Sequence, residues 1–243
     1  MSAPILSTRG LSRAFHGLQA VSNVDFDLPP NEVRALIGPN GAGKTTFVSM
    51  LIGRIPPTGG RIAFDGADVT DLPAHARVAR GMAYTFQITS VFSRLSVHEN
   101  VALAARRRLG GDAAAVDGAV TQALARVGLG DRADDAAEDL SYGHQRLLEI
   151  AMGLAQKPRL MILDEPTQGL AESEIAAFKV LIRELAAETT ILLIEHNMAV
   201  VMELADRITV LNFGEVLAEG TPAEIHANAD VQAAYLGTGG ADA

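Results

Sequence analysis

An α/β fold, with a largely parallel sheet and helices on both faces, follows from three observations. First, Val33-Ile37 (VRALI), Leu160-Leu163 (LMIL) and Thr190-Ile194 (TILLI) are short, run-like apolar segments, the pattern of strands covered on both sides. Second, Gly38 to Thr46 reads G-x-x-x-x-G-K-T between the first of these runs and the apolar positions Phe47, Val48, Met50, Leu51 and Ile52, which is strand, loop and helix. Third, strand-like alternation disappears from Val91 to Ala155, where the pattern turns helical before the α/β pattern resumes.

Taken in order, Ile5-Leu11, Val21-Leu28 and Val33-Ile37 are the first expected strands. The Pro29-Pro30-Asn31 turn is expected to join the last two as a hairpin. Arg61-Phe64 is a further strand, ended by Asp65-Gly66. Pro73-Arg80 reads as a helix with its proline near the start, and Gly81-Phe86 as a strand. Ser96-x-x-Glu99 has the form of a capping box, continued as a helix by Val97, Val101 and Leu103-Ala104. Asp117-Val127 gives a second helix closed by Gly128, and Ser141 to Ala155 a third. After Leu160-Leu163 come a helix over Glu172-Glu188, the strand Thr190-Ile194 and a helix over Met198-Leu204. Ile208-Leu211 and Glu215-Ala218 form a hairpin around Asn212-Phe213-Gly214. Pro222-Ala227 starts a terminal helix, and Gly237-Ala243 is expected to fray. The expectation is one domain over 1–243. Residues 1–90 and 156–243 form a P-loop NTPase core with an antiparallel β subdomain, and residues 91–155 form an inserted helical subdomain.

The chemistry starts at the glycine-rich stretch. Backbone N–H groups of such a turn, and of the helix it opens, point at phosphate oxygens. Asn40, Gly41, Ala42, Gly43, Lys44, Thr45 and Thr46 are therefore candidate phosphate contacts, with Lys44 reaching the β- and γ-phosphates and Thr45 holding Mg²⁺. Leu160-Leu163 ends in Asp164-Glu165, and the carboxyl end of a buried strand is where an open α/β sheet places function. Asp164 is expected to bind Mg²⁺ beside Thr45, and Glu165 to polarise a water near the γ-phosphate as a general base. Gln87, just after a strand, is a candidate for the metal or the water, although a lone glutamine is ordinarily a surface residue. His196, after another buried strand, is placed to hydrogen-bond a γ-phosphate oxygen, although a lone histidine there is more often structural. Ser141 is a good N-cap for the helix that follows. Gly143 is odd in a simple cap and makes sense if a phosphate approaches that helix start closely.

Composition narrows the class. The chain has 243 residues, 48% of them hydrophobic, which is enough for a real core. No apolar run approaches the length of a membrane span, and MSAPILSTRG lacks the pattern of a secretory signal. There are no cysteines, which excludes disulfides and thiolate ligands. A net charge of −9 argues against general nucleic-acid binding. Arg106-Arg107-Arg108, the tight basic run, reads first as a solvated helix end.

These pieces, in this order and over nearly the whole chain, resemble the nucleotide-binding subunits of ABC transporters. Gly38 to Thr46 is similar to the Walker A motif, Gln87 to the Q-loop, and Leu140-Ser141-Tyr142-Gly143-His144 to the family signature, usually L-S-G-G-Q. Leu160 to Glu165 is similar to Walker B with its glutamate, and His196 to the switch histidine. The resemblance implies that Phe15 stacks on adenine, the alternative being a core or hairpin aromatic. It implies that Thr167 to Glu172 is the D-loop, with Ala171 departing from the usual Asn or Ser. Tyr142 and His144 depart from the commonest signature. The family works as a head-to-tail dimer in which Ser141 and Gly143 of one subunit close over ATP held by the other. Implied partners are a second ATPase subunit (a homologue or a second copy), two transmembrane permeases and, indirectly, a periplasmic solute-binding protein. The implied place is the cytoplasmic face of a bacterial inner membrane.

The stretch Ala83-Tyr84-Thr85-Phe86-Gln87, the block Leu140 to Ile150 and the ending Ala234-Tyr235-Leu236-Gly237 resemble branched-chain amino acid importers, and the T-F-Q form at Thr85-Phe86-Gln87 resembles the first of their two ATPase types. The transported solute never touches such a subunit. The rivals are an exporter ATPase such as one for lipopolysaccharide, a soluble ABC protein of DNA repair or the ribosome, and a module that binds nucleotide without turnover. The short insert argues against the repair proteins. Glu165 and His196 argue against a degenerate site.

Overall fold

In the computed structural model, which describes residues 3–85 and 90–236, the run-like strands share one six-stranded sheet. A second, antiparallel sheet has the order β2-β1-β4-β5 and is built from β1 (Leu6–Phe15), β2 (Leu18–Leu28), β4 (Gly59–Phe64) and β5 (Ala67–Asp68). The larger sheet has the order β10-β9-β3-β8-β7-β6. It comprises β3 (Val33–Ile37), β6 (Met82–Thr85), β7 (Leu160–Asp164), β8 (Thr190–Ile194), β9 (Arg207–Asn212) and β10 (Glu215–Gly220). All its pairings are parallel except β9 with the edge strand β10.

The hairpin expected between Val21-Leu28 and Val33-Ile37 does not form. β2 pairs with β1, whereas β3 pairs with β8 and β9. Pro29 and Pro30 have no N–H for a ladder, and β3 is buried at every position, so it takes a neighbour on each edge. Asn31 turns through a left-handed conformation (φ 59°) and donates its N–H to Thr190 Oγ1 at 2.9 Å. The hairpin that does form joins β1 and β2 through His16 and Gly17, with φ of 46° and 89°, the positive pair of a tight hairpin turn. β1 runs past the expected end at Leu11 because Gly10 (φ 59°) breaks its register there and hides its alternation.

Alternation along the buried strands assigns the faces of the large sheet. Met161, Leu163, Ile191 and Leu193 pack with Val101, Val120, Leu148 and Ile182. Those four come from α3 (Val97–Leu109), α4 (Ala113–Arg126), α5 (Tyr142–Leu154) and α6 (Glu172–Ala186). Leu160, Ile162, Leu192 and Ile194 pack on the other side with Phe26 and Phe64 of the antiparallel sheet and with Phe47 and Leu51 of α1 (Lys44–Leu51). A third core sets Ile37 and Val210 beneath α7 (Met198–Leu204), α8 (Pro222–Ala227) and α9 (Ala229–Leu236). Burying each such side chain contributes about 1.5–3 kcal/mol, so three cores fix α1 and the strand ends firmly.

Helix ends follow local chemistry. Ser96 Oγ accepts from the Glu99 N–H (3.1 Å) and Glu99 Oε2 accepts from the Ser96 N–H (2.8 Å), a complete capping box. α4 starts before the expected Asp117 because Asp112 caps it, accepting from the Ala115 N–H at 3.0 Å. α8 stops at Ala227, and Asn228 Oδ1 restarts the chain as α9 by accepting from the N–H groups of Asp230 and Val231. Arg77, on α2 (Ala74–Ala79), is 1% exposed and secures the far end of α1. It donates to the carbonyls of Met50 and Leu51 (both 2.7 Å), Leu72 and Thr70 (both 2.8 Å). Burial lowers its guanidinium pKa to about 10. Among the described residues no helix is long and apolar enough to cross a membrane.

Candidate nucleotide-binding site

β3 delivers the chain to the glycine-rich loop at the carboxyl edge of the large sheet. The three glycines of the loop do different work. A Cβ on Gly38 (φ 154°) would lie 2.2 Å from the Leu211 carbonyl oxygen of β9. A Cβ on Gly43 (φ 98°) would lie 2.4 Å from the Ala20 carbonyl oxygen of β2. Gly41 (φ 82°) meets nothing within 4 Å, so its glycine serves the backbone conformation and the approach of a ligand. The turn after β9 closes the seat: the Gly214 N–H bonds the Ala42 carbonyl (3.0 Å), and the Ser22 N–H bonds the Gly214 carbonyl (2.8 Å).

α1 starts at Lys44 with no acidic residue in its first turn, and the opening N–H groups of a helix have no acceptor within it. That end carries positive potential suited to phosphate. Lys44 Nζ folds back onto the carbonyls of Gly38 (2.6 Å) and Pro39 (3.1 Å). Burial lowers its pKa, and Glu165 and Asp164 oppose that shift. Thr45, Asn40 and Gly41 are exposed, Thr46 is half-buried and Ala42 is buried.

The strand ends bring the acids to the same edge. β8 lies between β3 and β7, so His196 leaves the sheet between the loop and Asp164-Glu165. Asp164 is buried, and its Oδ2 accepts a hydrogen bond from the Tyr84 hydroxyl of β6 at 2.7 Å. Burial pushes its carboxyl above the usual carboxylate range, the Tyr84 bond opposing and the neighbouring Glu165 charge adding. Burial likewise pushes the Tyr84 phenol well above its ordinary value, helped by Asp164. Glu165 sits in the left-handed region (φ 47°), where non-glycine residues are uncommon and often functional. Its N–H bonds the Ile194 carbonyl (2.8 Å), and its Oε1 lies 3.8 Å from His196 Nδ1.

Several participants were not singled out by sequence reasoning. Glu195 is 1% exposed. Its Oε1 accepts from the Thr167 N–H (2.9 Å) and hydroxyl (2.5 Å), and its Oε2 from the N–H groups of His196 and Asn197. It thereby ties the loop after Glu165 to the histidine turn. An acid directly after the apolar run 191–194 was the available signal. Arg146 and Glu149 form a buried ion pair on α5 at 3.0 Å. Burial raises the Glu149 pKa, opposed by the Ser90 N–H and by Arg146. Tyr84, in the short strand β6, entered the sequence reading only as part of the stretch Ala83 to Gln87, with no role of its own.

The second glycine-bearing helix start is built differently. Ser141 caps α5, its Oγ accepting from the His144 N–H at 3.3 Å. A Cβ on Gly143 would lie 2.2 Å from Glu174 Oε1, so the group approaching this glycine is a carboxylate of the same chain. Glu174 Oε2 also accepts from the Ala171 N–H at 2.8 Å. The Tyr142 ring packs on Gly169. Ser141 is exposed and Gly143 buried, and both lie at a helix start separate from the Lys44 loop. Phe15, at the tip of the β1–β2 hairpin, pairs with Leu18 two residues before Ala20, which abuts the loop. The Arg13 guanidinium covers one face of its ring, 4.6 Å from the centroid. Gln87 lies outside the described residues.

Among the described residues no group of three or more His, Cys, Asp or Glu side chains could by itself hold a metal. The set that remains, the Thr45 hydroxyl and the Asp164 carboxylate, consists of hard oxygens. Such a set suits Mg²⁺, which keeps several waters and takes phosphate oxygens from its substrate.

A family model described as ABC transporter matches residues 21–168, and one described as branched-chain amino acid ATP-binding cassette transporter matches residues 215–241. The chain is 42% identical over 254 aligned residues to the high-affinity branched-chain amino acid transport ATP-binding protein LivG of Escherichia coli (strain K12), covering 98% of this chain and 99% of that protein. It is 33% identical to the lipopolysaccharide export system ATP-binding protein LptB of the same organism, over 96% and 97% of the two chains. Its fold matches the ADP conformation of MJ1267, an ATP-binding cassette of an ABC transporter, with a TM-score of 0.88 and 25% identity over 97% and 100% of the two chains. A glycine loop with its lysine, strand-end carboxylates and a histidine turn on one sheet edge, together with these likenesses, mean that the chain belongs to the ABC transporter family, as one of its ATP-binding, ATP-hydrolysing subunits.

Proposed function

We propose that this subunit powers import of branched-chain or related amino acids from the cytoplasmic face of a bacterial inner membrane. It would be paired with a second ATPase subunit, homologous or identical, beneath two transmembrane permeases served by a periplasmic binding protein. The family match over residues 215–241 and the greater identity to LivG than to LptB favour this over an exporter.

The observation that carries the chemistry is the meeting of Lys44, Asp164, Glu165 and His196 at one sheet edge. In this reading the loop from Asn40 to Thr46 cradles the phosphates of ATP, and Lys44 leaves the Gly38 and Pro39 carbonyls to meet the β- and γ-oxygens. Thr45 and Asp164, with Gln87, hold Mg²⁺, which when bound screens the phosphate charge. Tyr84 fixes one oxygen of Asp164 and leaves the other for that role. Glu165 accepts a proton from the attacking water as it adds to the γ-phosphorus and the bond from that phosphorus to the β–γ bridging oxygen breaks, releasing ADP. His196 steadies a γ-oxygen, and Phe15 offers its free face to the adenine. Ser141 and Gly143 act in trans on the ATP held by the other subunit.

Glu165→Gln tests the reading. General-base loss predicts hydrolysis lower by about 10²–10⁴-fold, with MgATP affinity retained in a binding titration. Normal turnover in this variant would remove Glu165 from the role.

A further inference from the structure

Among the described residues, one buried ion pair near the site, on α5, has no part in the mechanism proposed above. Arg146 and Glu149 lie one helical turn apart, with side-chain exposures of 3% and 6%. Each reaches beyond its own helix. Arg146 Nη1 meets Glu149 Oε2 at 3.0 Å, while its Nη2 points to the Glu165 carbonyl at 3.5 Å. The other oxygen of Glu149 accepts the Ser90 N–H at 2.6 Å, on the chain that follows β6.

We propose that Arg146 and Glu149 are positioning residues: one buried ion pair through which α5, the helix opened by Ser141 and Gly143, holds both the backbone of Glu165 and the amide of Ser90. The physical case has two parts. Glu165 occupies a left-handed conformation that persists only where its surroundings over-determine it. Its N–H is held by Ile194 and its carbonyl by Gln168 and Arg146, so one of the restraints on this residue comes from α5. In addition, a buried ion pair is a poor source of stability compared with well-packed apolar side chains. What it provides here is direction: a fork aimed at one strand end and a carboxylate aimed at one amide. A shift of α5, as when a partner subunit engages its start, is thereby felt at Glu165 and at Ser90 together.

The inference rests on Glu165 serving as the base, and the test separates the two. Three variants of the full chain are compared with the parent: Arg146→Lys, Arg146→Met combined with Glu149→Leu, and Glu165→Gln. The double apolar variant keeps the volume filled. Its MgATP affinity is expected to stay within about threefold, its turnover to fall about tenfold or more, and amide exchange at Ser90 to speed up about tenfold. Arg146→Lys retains a cation beside Glu149 but loses the reach to Glu165, so Ser90 stays protected while turnover drops about fivefold or more. Unchanged turnover in either variant, or turnover falling only in step with MgATP affinity, overturns the proposal. Should the double variant fail to fold, Arg146→Lys decides alone. Should Glu165→Gln hydrolyse ATP normally, the base assignment falls. The pair is then judged on Ser90 exchange and on the turnover of Arg146→Lys.

Discussion

Helices α1 and α5 both open with a glycine that the sequence links to phosphate, yet the two starts are constructed on opposite plans. At α1 the glycines at 38 and 43 make room for neighbouring backbone, the first turn carries no acid, and a lysine rests on the loop's own carbonyls. At α5 the end is already dressed with negative or polar oxygen: the Ser141 hydroxyl caps it and the Glu174 carboxylate lies on Gly143. The same electrostatics, a positive helix start seeking negative charge, gives a rigid receptor in one place and a covered surface in the other. The proposed function, with ATP held at α1 and action in trans through α5, needs that asymmetry.

The largest expected effect that sharpens the contrast is structural. Gly38→Ala drives a Cβ into backbone at 2.2 Å and should cost about 2–4 kcal/mol. Thermal melting reads this as roughly 2–4 °C per kcal/mol for a chain of this size. Lys44→Ala should weaken MgATP binding about 10–100-fold, the worth of a charge-assisted hydrogen bond, measured by titration. A loss below twofold would break the assignment of α1 as the receptor. Gly143→Ala meets the end of a flexible side chain instead, so about 1 kcal/mol is expected. Adding Glu174→Ala should relieve the clash, and a double variant no more stable than Gly143→Ala would show that something else crowds this glycine.

The smallest effect concerns pH without Mg²⁺. Because burial raises the Asp164 carboxyl above its unfolded value, the folded state favours its protonated form. Its contribution is most favourable below about pH 4 and is lost as pH rises through the raised value. Asp164→Asn should remove that slope, leaving the variant relatively more stable than the parent near neutrality. Parallel melting curves from pH 4 to 7 would contradict this.

Much of this was legible in the sequence because it is local. The P-loop, the strand-end acids and the Ser96 capping box are contiguous patterns whose physics needs no tertiary partner. What escaped was relational. The Pro29-Pro30 connection looked like a hairpin because nothing in those residues says that β3 is claimed by β8 and β9. Tyr84, Glu174 and the Arg146–Glu149 pair acquire their meaning only across 80, 31 and 59 positions of chain, to Asp164, Gly143 and Ser90. Gly143 shows the limit well. The sequence marked it as needing close approach, and the structure supplies the approaching group, a carboxylate, which periodicity could not name.

The pinned glycine loop has a last consequence. Ala20 of the antiparallel sheet and Leu211 of β9 grip it from two sides, through contacts too tight for a methyl group, and the turn at 212–214 holds it by the Gly214 N–H. A seat gripped in this way has almost no mechanical tolerance, so it is set when the chain folds and does not shape itself around each incoming nucleotide. Lengthening the 212–214 turn by one residue should therefore loosen nucleotide binding as surely as a change in the loop itself.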